Sequence, residues 1–267
     1  MHPLLFHFGH IAVPTYGVLT AAALLAALAM LVQQAKRLDL RADKAWNLGL
    51  IAILAALFGA RLLLVAAHLR AFRAHPFWVL GLANISGTWI ALGGVAIGLA
   101  AAVLYALAEG LPLLRTADAA APAVALAFAI NRIGAFCGGL AWGTPTTLPW
   151  GVSYRSVVAY LWYRTPLGVT LHPVQLYDAA ASLAIFALLV GLPHRRDGET
   201  AGAWLFLYGV CRFFVEFYRG DPRERVFGGA LSLVQALAIV AVILGGALWL
   251  RREPQAATPG EMPAPSS

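Results

Sequence analysis

The sequence predicts an all-α, polytopic integral membrane protein of about seven transmembrane helices with a small cap on its outer face. Three observations predict this class. Of 267 residues, 61% are hydrophobic and only 12% charged, with a mean hydropathy of +0.76, well outside the habits of soluble globular domains. Apolar stretches of about 20 residues recur along nearly the whole chain, each long enough for a helix to cross roughly 30 Å of hydrocarbon at about 1.5 Å per residue. The tightest basic clusters fall between these stretches and on one side of them.

The spans are expected at 15–34, 46–67, 88–108, 118–140, 176–193, 201–219 and 230–250. The opening Met1-His2-Pro3 lacks a basic n-region and apolar runs return many times, so the first span is expected to be retained rather than cleaved. Lys36, Arg37, Arg41 and Lys44 follow span one, Arg195 and Arg196 follow span five, and Arg251 and Arg252 follow span seven. Seven spans put all three clusters on one side, which the positive-inside rule makes cytoplasmic, with the amino terminus outside. The longest polar interruption, 141–175, holds Trp142, Trp150, Tyr154, Tyr160, Trp162 and Tyr163. Amphipathic rings favour the membrane–water boundary, so this segment is expected to be a cap resting there. Residues 1–252 thus form one membrane domain, and 253–267, rich in Pro, Ala and Ser, a disordered cytoplasmic tail.

Several function classes fall away. There is no basic helix interleaved with aromatics, so anionic lipid is a better partner for the formal charge of +7 than nucleic acid. Cys137 and Cys211 lie in apolar runs without a Cys or His at metal-ligand spacing, so no metal and no disulfide framework is expected. The chain lacks G-x-S-x-G, His-Glu-x-x-His and a phosphate loop ending in Lys-Ser or Lys-Thr, which removes most support for hydrolase and ATP-driven readings.

What remains is a set of charges where charge is costly. An arginine near the bilayer centre costs on the order of 3 kcal/mol, so Arg61, Arg132 and Arg212 are expected to face protein, water or an anionic ligand. In span six, Tyr208, Arg212, Glu216 and Arg219 fall at about 0°, 40°, 80° and 20° on a helical wheel, one polar wedge against Leu, Phe and Val. Two readings fit the wedge: an Arg212–Glu216 ion pair with a snorkelling Arg219, or a groove whose guanidinium forks grip a phosphate. Span four joins Asn131 and Arg132 to Gly134, Gly138, Gly139 and Gly143; glycines so spaced serve close helix packing or close approach to a headgroup. His172 stands before Pro173 at a helix start, either as a packing residue or as a base or hydrogen-bond donor at the membrane surface.

These residues, in order, resemble the bacterial prolipoprotein diacylglyceryl transferases from about Tyr16 to Trp249. The resemblance is carried by Tyr16-Gly17, Gly59-Ala60-Arg61, Gly93-Gly94, Asn131-Arg132-Ile133-Gly134 and Trp142-Gly143. It is most specific in His172-Pro173-Val174-Gln175-Leu176-Tyr177-Asp178 and in the run from Tyr208 to Arg219. It implies seven spans in a bacterial cytoplasmic membrane and transfer of a diacylglyceryl group from phosphatidylglycerol to the lipobox cysteine thiol of a prolipoprotein signal peptide. The products implied are a thioether and glycerol phosphate, with no cofactor and a monomeric enzyme. Carried onto this chain, Arg132 binds the phosphate, Arg212 holds the lipid or leaving group, and Glu216 orients it. Tyr16, Arg61, Gly143, Tyr208 and Arg219 are further binding candidates, and His172 a catalytic one. The sequence departs from the family pattern at Leu92, where a histidine is usual, and at Ala135, Gly138 and Leu140, where two asparagines and a glutamate are usual. These departures keep open the alternative of a catalytically degenerate paralogue that only binds phosphatidylglycerol. In an active enzyme they leave His172, Tyr16 or the cationic field of Arg132, Arg212 and Arg219 to activate the thiol.

Overall fold

The computed structural model describes residues 2–8, 11–74 and 88–251. Nine helices follow one another there: α1 (Thr15–Arg37), α2 (Ala42–Ala67), α3 (Leu69–Ala74), α4 (Thr88–Ala108), α5 (Leu113–Gly138), α6 (Val157–Tyr163), α7 (Val174–Gly191), α8 (Glu199–Val215) and α9 (Leu233–Trp249). Three short antiparallel ladders join them: β1 (Leu4–Phe8) with β2 (Ile11–Pro14), β3 (Val152–Ser153) with β4 (Thr170–Leu171), and β5 (Arg225–Val226) with β6 (Leu231–Ser232).

Each expected span corresponds to one long helix. Helices α1, α2, α4, α5 and α7, and α8 extended to Tyr218, are long and apolar enough to cross a membrane. The 17 residues of α9 are apolar almost throughout and, at about 1.5 Å each, lie at the short end of a spanning length. Boundaries differ where polar residues continue or cap a helix. Helix α5 starts five residues before the expected 118 because Arg115 and Asp118 have partners at its end. Helix α9 starts three residues late because Ser232 and Gln235 close a capping box ahead of it, each side chain bonding the other's backbone N–H.

Helix α5 runs centrally and packs on α1, α7 and α8, while α2 pairs with α4 and α8 with α9. Without a hydrophobic drive between helices in lipid, close approach over small residues supplies the contact energy. Gly94 and Gly98 of α4 lie against Ala56 and Ala60 of α2, and Gly134 and Gly138 of α5 against Leu19 and Tyr16 of α1.

The basic clusters gather at one end of the bundle. There Lys44 bonds the Glu109 carbonyl at 2.7 Å, Arg115 pairs with Asp197 at 2.9 Å, and Arg196 donates to the Trp249 carbonyl. Buried Asp118 accepts the backbone N–H of Gly198 and Ala201 at 2.6 and 2.8 Å, satisfying orphan donors at the start of α8. His194 lies beside Asp118 and Asp197, close enough for the three to share a cation, but Asp118 is already engaged by those amides. Arg252 and the tail 253–267 lie outside the described residues.

The opposite end carries the β1–β2 hairpin, the 141–175 segment and the chain from Glu216 to Ser232. The 141–175 segment is a compact cap built on the β3–β4 ladder and α6. Gly139, with φ +85°, ends α5 in a left-handed turn that favours glycine. Thr165, fully buried, then ties the cap to the Gly139 carbonyl at 2.7 Å. Gln175 of α7 donates to the Leu140 carbonyl at 2.6 Å and to the Tyr154 hydroxyl at 3.1 Å. Burial pushes the Tyr154 phenol up to about 12, so it stays a neutral strut. The other face of the cap leaves Trp150, Val157 and Leu161 more than half exposed, apolar bodies suited to a membrane boundary.

Candidate functional site

Below the cap, the costly charges of several helices meet. Helix α5 supplies Arg132, α7 supplies Asp178, α8 supplies Arg212, and a single 3-10 turn after α8 supplies Glu216. Arg132 pairs with Asp178 at 3.3 Å, Asp178 with Arg212 at 3.4 Å, and Arg212 with Glu216 at 2.7 Å. The series continues into the loop: Glu216 pairs with Arg223, Arg223 with Asp221 at 2.6 Å, and Asp221 with Arg219 at 2.9 Å. Cations and anions alternate strictly, and both ends are arginines.

Burial explains why the series alternates. Asp178, Arg212 and Glu216 are 4%, 5% and 6% exposed, and an isolated charge so deep carries a desolvation penalty of several kcal/mol. Each interior member therefore has a counter-charge on both sides. Four arginines against three carboxylates leave one positive charge, matching the single negative charge of a phosphodiester. Arg132, whose side chain keeps 23% exposure, is the most open cation and has one carboxylate partner, so a ligand anion meets it first.

Polar neighbours orient this open end. Tyr208 and Tyr16 both act electrostatically on the Arg132 guanidinium. Asn131 donates to Thr20 at 3.0 Å and to the Tyr16 hydroxyl at 3.4 Å, fixing the α1 face opposite. Tyr16, Arg132, Tyr208, Arg212 and Glu216 are thus brought together. Arg61 sits on α2, in the α2–α4 pair, and the ion series runs through α5, α7, α8 and the following loop.

Arg219 leaves the wheel on which the sequence places it. Helix α8 ends at Val215, and Glu216–Tyr218 form a 3-10 turn. The next residues are Gly220, Asp221 and Pro222, and the residue before a proline is sterically kept from helical backbone. Arg219 instead makes a two-pronged pair with Asp221, 3.1 Å through Nε and 2.9 Å through its terminal nitrogen. Burial first, then the guanidinium of Arg212, holds Arg219 below the usual arginine range. Its repulsion from Arg212 and Arg132 shows how crowded with cations this region is.

His172 and Gly143 form the rim. The Gly143 backbone bridges to Arg219, and His172 donates its N–H to the Thr144 carbonyl at 2.9 Å. A Cβ on Gly143 would fall on the His172 carbonyl and within 2.8 Å of its Cβ, so glycine is required by this close approach. Gly143→Ala is therefore expected to displace His172 and the start of α7. The expected fall in turnover is on the order of 10- to 100-fold with binding of lipid retained, checked by turnover and lipid binding on one preparation. The His172 ring lies 5.0 Å from that of Tyr218, and its Nδ1 is 3.3 Å from the Tyr177 hydroxyl, which also accepts the Trp150 N–H at 2.8 Å.

Asp178 belongs to a motif but carries no assigned role in the sequence reading, and three participants lie outside every motif: Asp221, Arg223 and Ser232, which donates to Glu216 at 2.9 Å. Asp178 carries a signal, an acid two residues after the first apolar position of a span with no neighbouring cation in sequence. The others sit in a charged loop that reads as solvated surface. At the departures, Ala135 is buried at 2% exposure, Leu140 contributes its carbonyl to Gln175, and Gly138 lies beside Tyr16. Leu92 is on α4.

A family profile described as prolipoprotein diacylglyceryl transferase matches residues 3–251. A phosphatidylglycerol–prolipoprotein diacylglyceryl transferase of Clostridium tetani is 30% identical over 247 residues, covering 92% of this chain and 95% of its own. One from Synechococcus elongatus is 30% identical over 267 residues, covering 93% and 87%. A second such transferase of Clostridium perfringens is 25% identical, covering 88% of each chain. None of these matches favours the degenerate alternative.

Proposed function

The chain belongs to the prolipoprotein diacylglyceryl transferase family, and on that premise we propose how its own residues carry the reaction. It is a multi-pass inner-membrane transferase that moves a diacylglyceryl group from phosphatidylglycerol to the lipobox cysteine thiol of a prolipoprotein. In our reading, the thiolate sulfur attacks the diacylglyceryl carbon that bears the phosphate. A C–S bond forms, the C–O bond to phosphorus breaks, and glycerol phosphate leaves with the electron pair. The thiol proton is released to water or to the departing phosphate.

The observation that carries this reading is the alternating ion series with one positive charge in excess. The phosphodiester arrives with one negative charge, and its oxygen gathers a second as the C–O bond breaks. Fixed guanidiniums in a water-poor site stabilise that developing charge without reorganising. Arg132 takes the phosphate first, and Arg212, held between Asp178 and Glu216, faces the leaving group. Both Glu216 oxygens are committed to guanidiniums, so its role is to orient Arg212 rather than to take a proton. Tyr16 and Tyr208 shape the pocket beside Arg132, and Arg219 closes the series at its other end.

In our reading His172 serves as a donor. The Trp150 N–H can only donate, so the Tyr177 oxygen accepts it and its own O–H is free to point at His172 Nδ1. With the Tyr177 O–H turned to Nδ1, the imidazole proton sits on Nε2, where in this reading it serves an anion. Activation of the thiol then rests on the cationic field, which favours thiolate.

The gathering of the three basic clusters at one end supports placing that end in the cytoplasm, with the amino terminus and cap outside. The chain acts as a monomer. Expression in cells depleted of their own transferase tests the function: the wild-type chain restores growth and Arg132→Ala does not. Failure of the wild-type chain, expressed and membrane-inserted, contradicts the reading.

A further inference from the structure

We propose that Arg223, from the loop beyond every recognisable motif, is a phosphate-binding residue of this site; the proposal rests on the transferase reading above. Three observations lead to it. The side chain is 14% exposed and turns inward from a loop whose neighbours Pro222 and Arg225 face solvent. Its terminal nitrogens are taken by Glu216 and by Asp221 at 2.6 Å, but its Nε–H is buried and finds no acceptor among the described residues. A buried, unsatisfied donor on a cation is costly, and an anionic acceptor at that position removes the cost.

The electrostatic setting selects the acceptor. Arg223 feels the guanidiniums of Arg212 and Arg132 as well as the carboxylate of Asp178, so it belongs to the same cationic field as the lipid site. Burial and then Arg212 hold it below the ordinary arginine value. A neutral acceptor would leave this crowding in place, whereas a phosphate oxygen relieves it and satisfies Nε–H. The loop is anchored for the purpose: Glu216 accepts from both Arg223 and Ser232, and Ser232 caps α9. Arg223 comes from the loop and Arg132 from α5, so a phosphate that both bind is held from two elements.

The phosphate has two sources, the lipid diester and the glycerol phosphate monoester that leaves. Both are measured on purified full-length protein: binding of glycerol phosphate by calorimetry, and binding of phosphatidylglycerol in nanodiscs. Arg223→Gln is expected to weaken one or both by about 10-fold or more, and the arm that moves identifies the source. Arg223→Lys separates this role from a structural one, because lysine keeps the ion pairs with Glu216 and Asp221 and the charge but has no Nε–H fork. Thermal unfolding near that of wild type together with weakened phosphate binding in Arg223→Lys supports the proposal. Wild-type affinity for both ligands in Arg223→Lys overturns it, even where Arg223→Gln fails to fold. Because the readout is binding, it stands apart from turnover: absence of transfer by the wild-type protein would count against the transferase reading and leave this test intact.

Discussion

Arg212→Ala is expected to abolish transfer and to destabilise the protein at once. Arg212 sits in the middle of the ion series, 3.4 Å from Asp178 and 2.7 Å from Glu216, and all three are nearly fully buried. Its removal leaves two carboxylates facing each other across a space without solvent. Breaking a buried pair from one side costs about 3–5 kcal/mol, and loss of a fixed donor to the leaving group costs about 100- to 1,000-fold in rate. Thermal unfolding in detergent and turnover with phosphatidylglycerol check the two parts separately. A variant that unfolds at the wild-type temperature with more than about a tenth of wild-type activity contradicts both.

Asp178→Asn is expected to separate binding from turnover. Asp178 is the shared acceptor of Arg132 and Arg212, which come from different helices, so its carboxylate sets the angle between the two guanidiniums. The amide keeps the shape but withdraws one negative charge, and the excess positive charge of the site doubles. Affinity for an anionic lipid is then unchanged or higher, while misaimed guanidiniums lower kcat by on the order of 10- to 100-fold. Kinetics over a range of phosphatidylglycerol in mixed micelles read both constants. A rise in KM with an unchanged kcat would assign Asp178 to binding alone.

The bundle was legible because its signal is thermodynamic: each 20-residue apolar run leaves the backbone no alternative to a helix in lipid. Helix ends were less so, since they depend on local partners such as the Ser232–Gln235 capping box and the ties made by Arg115 and Asp118. Arg132, Arg212 and Glu216 were visible because a charge inside an apolar run must be explained by something. Asp178 obeys the same rule, but its partners lie 46 residues earlier and 34 later, a pairing that only the tertiary fold makes. Arg223 had no signal at all. A charged loop reads as solvated, and nothing in its sequence shows that the chain turns back under the cap and pairs with Glu216.

The departures Ala135, Gly138 and Leu140 are not members of the ion series. Ala135, Gly138 and Leu140 line the packing of α5 against α1 and the cap, while the cations and their carboxylates form one continuous series. On the proposed reading, this series supplies the means to bind a phosphodiester and to stabilise its departure. The thiol near a concentrated positive field needs less from a dedicated base.

The most direct test is transfer itself. Purified protein, given phosphatidylglycerol and a lipobox peptide, is followed by mass spectrometry of the peptide and by release of glycerol phosphate. The account predicts a thioether-linked diacylglyceryl addition on the cysteine, with one glycerol phosphate released per modified peptide and both signals lost in Arg132→Ala. Unmodified peptide with the wild-type protein, under conditions where the Clostridium tetani relative modifies it, would contradict the account.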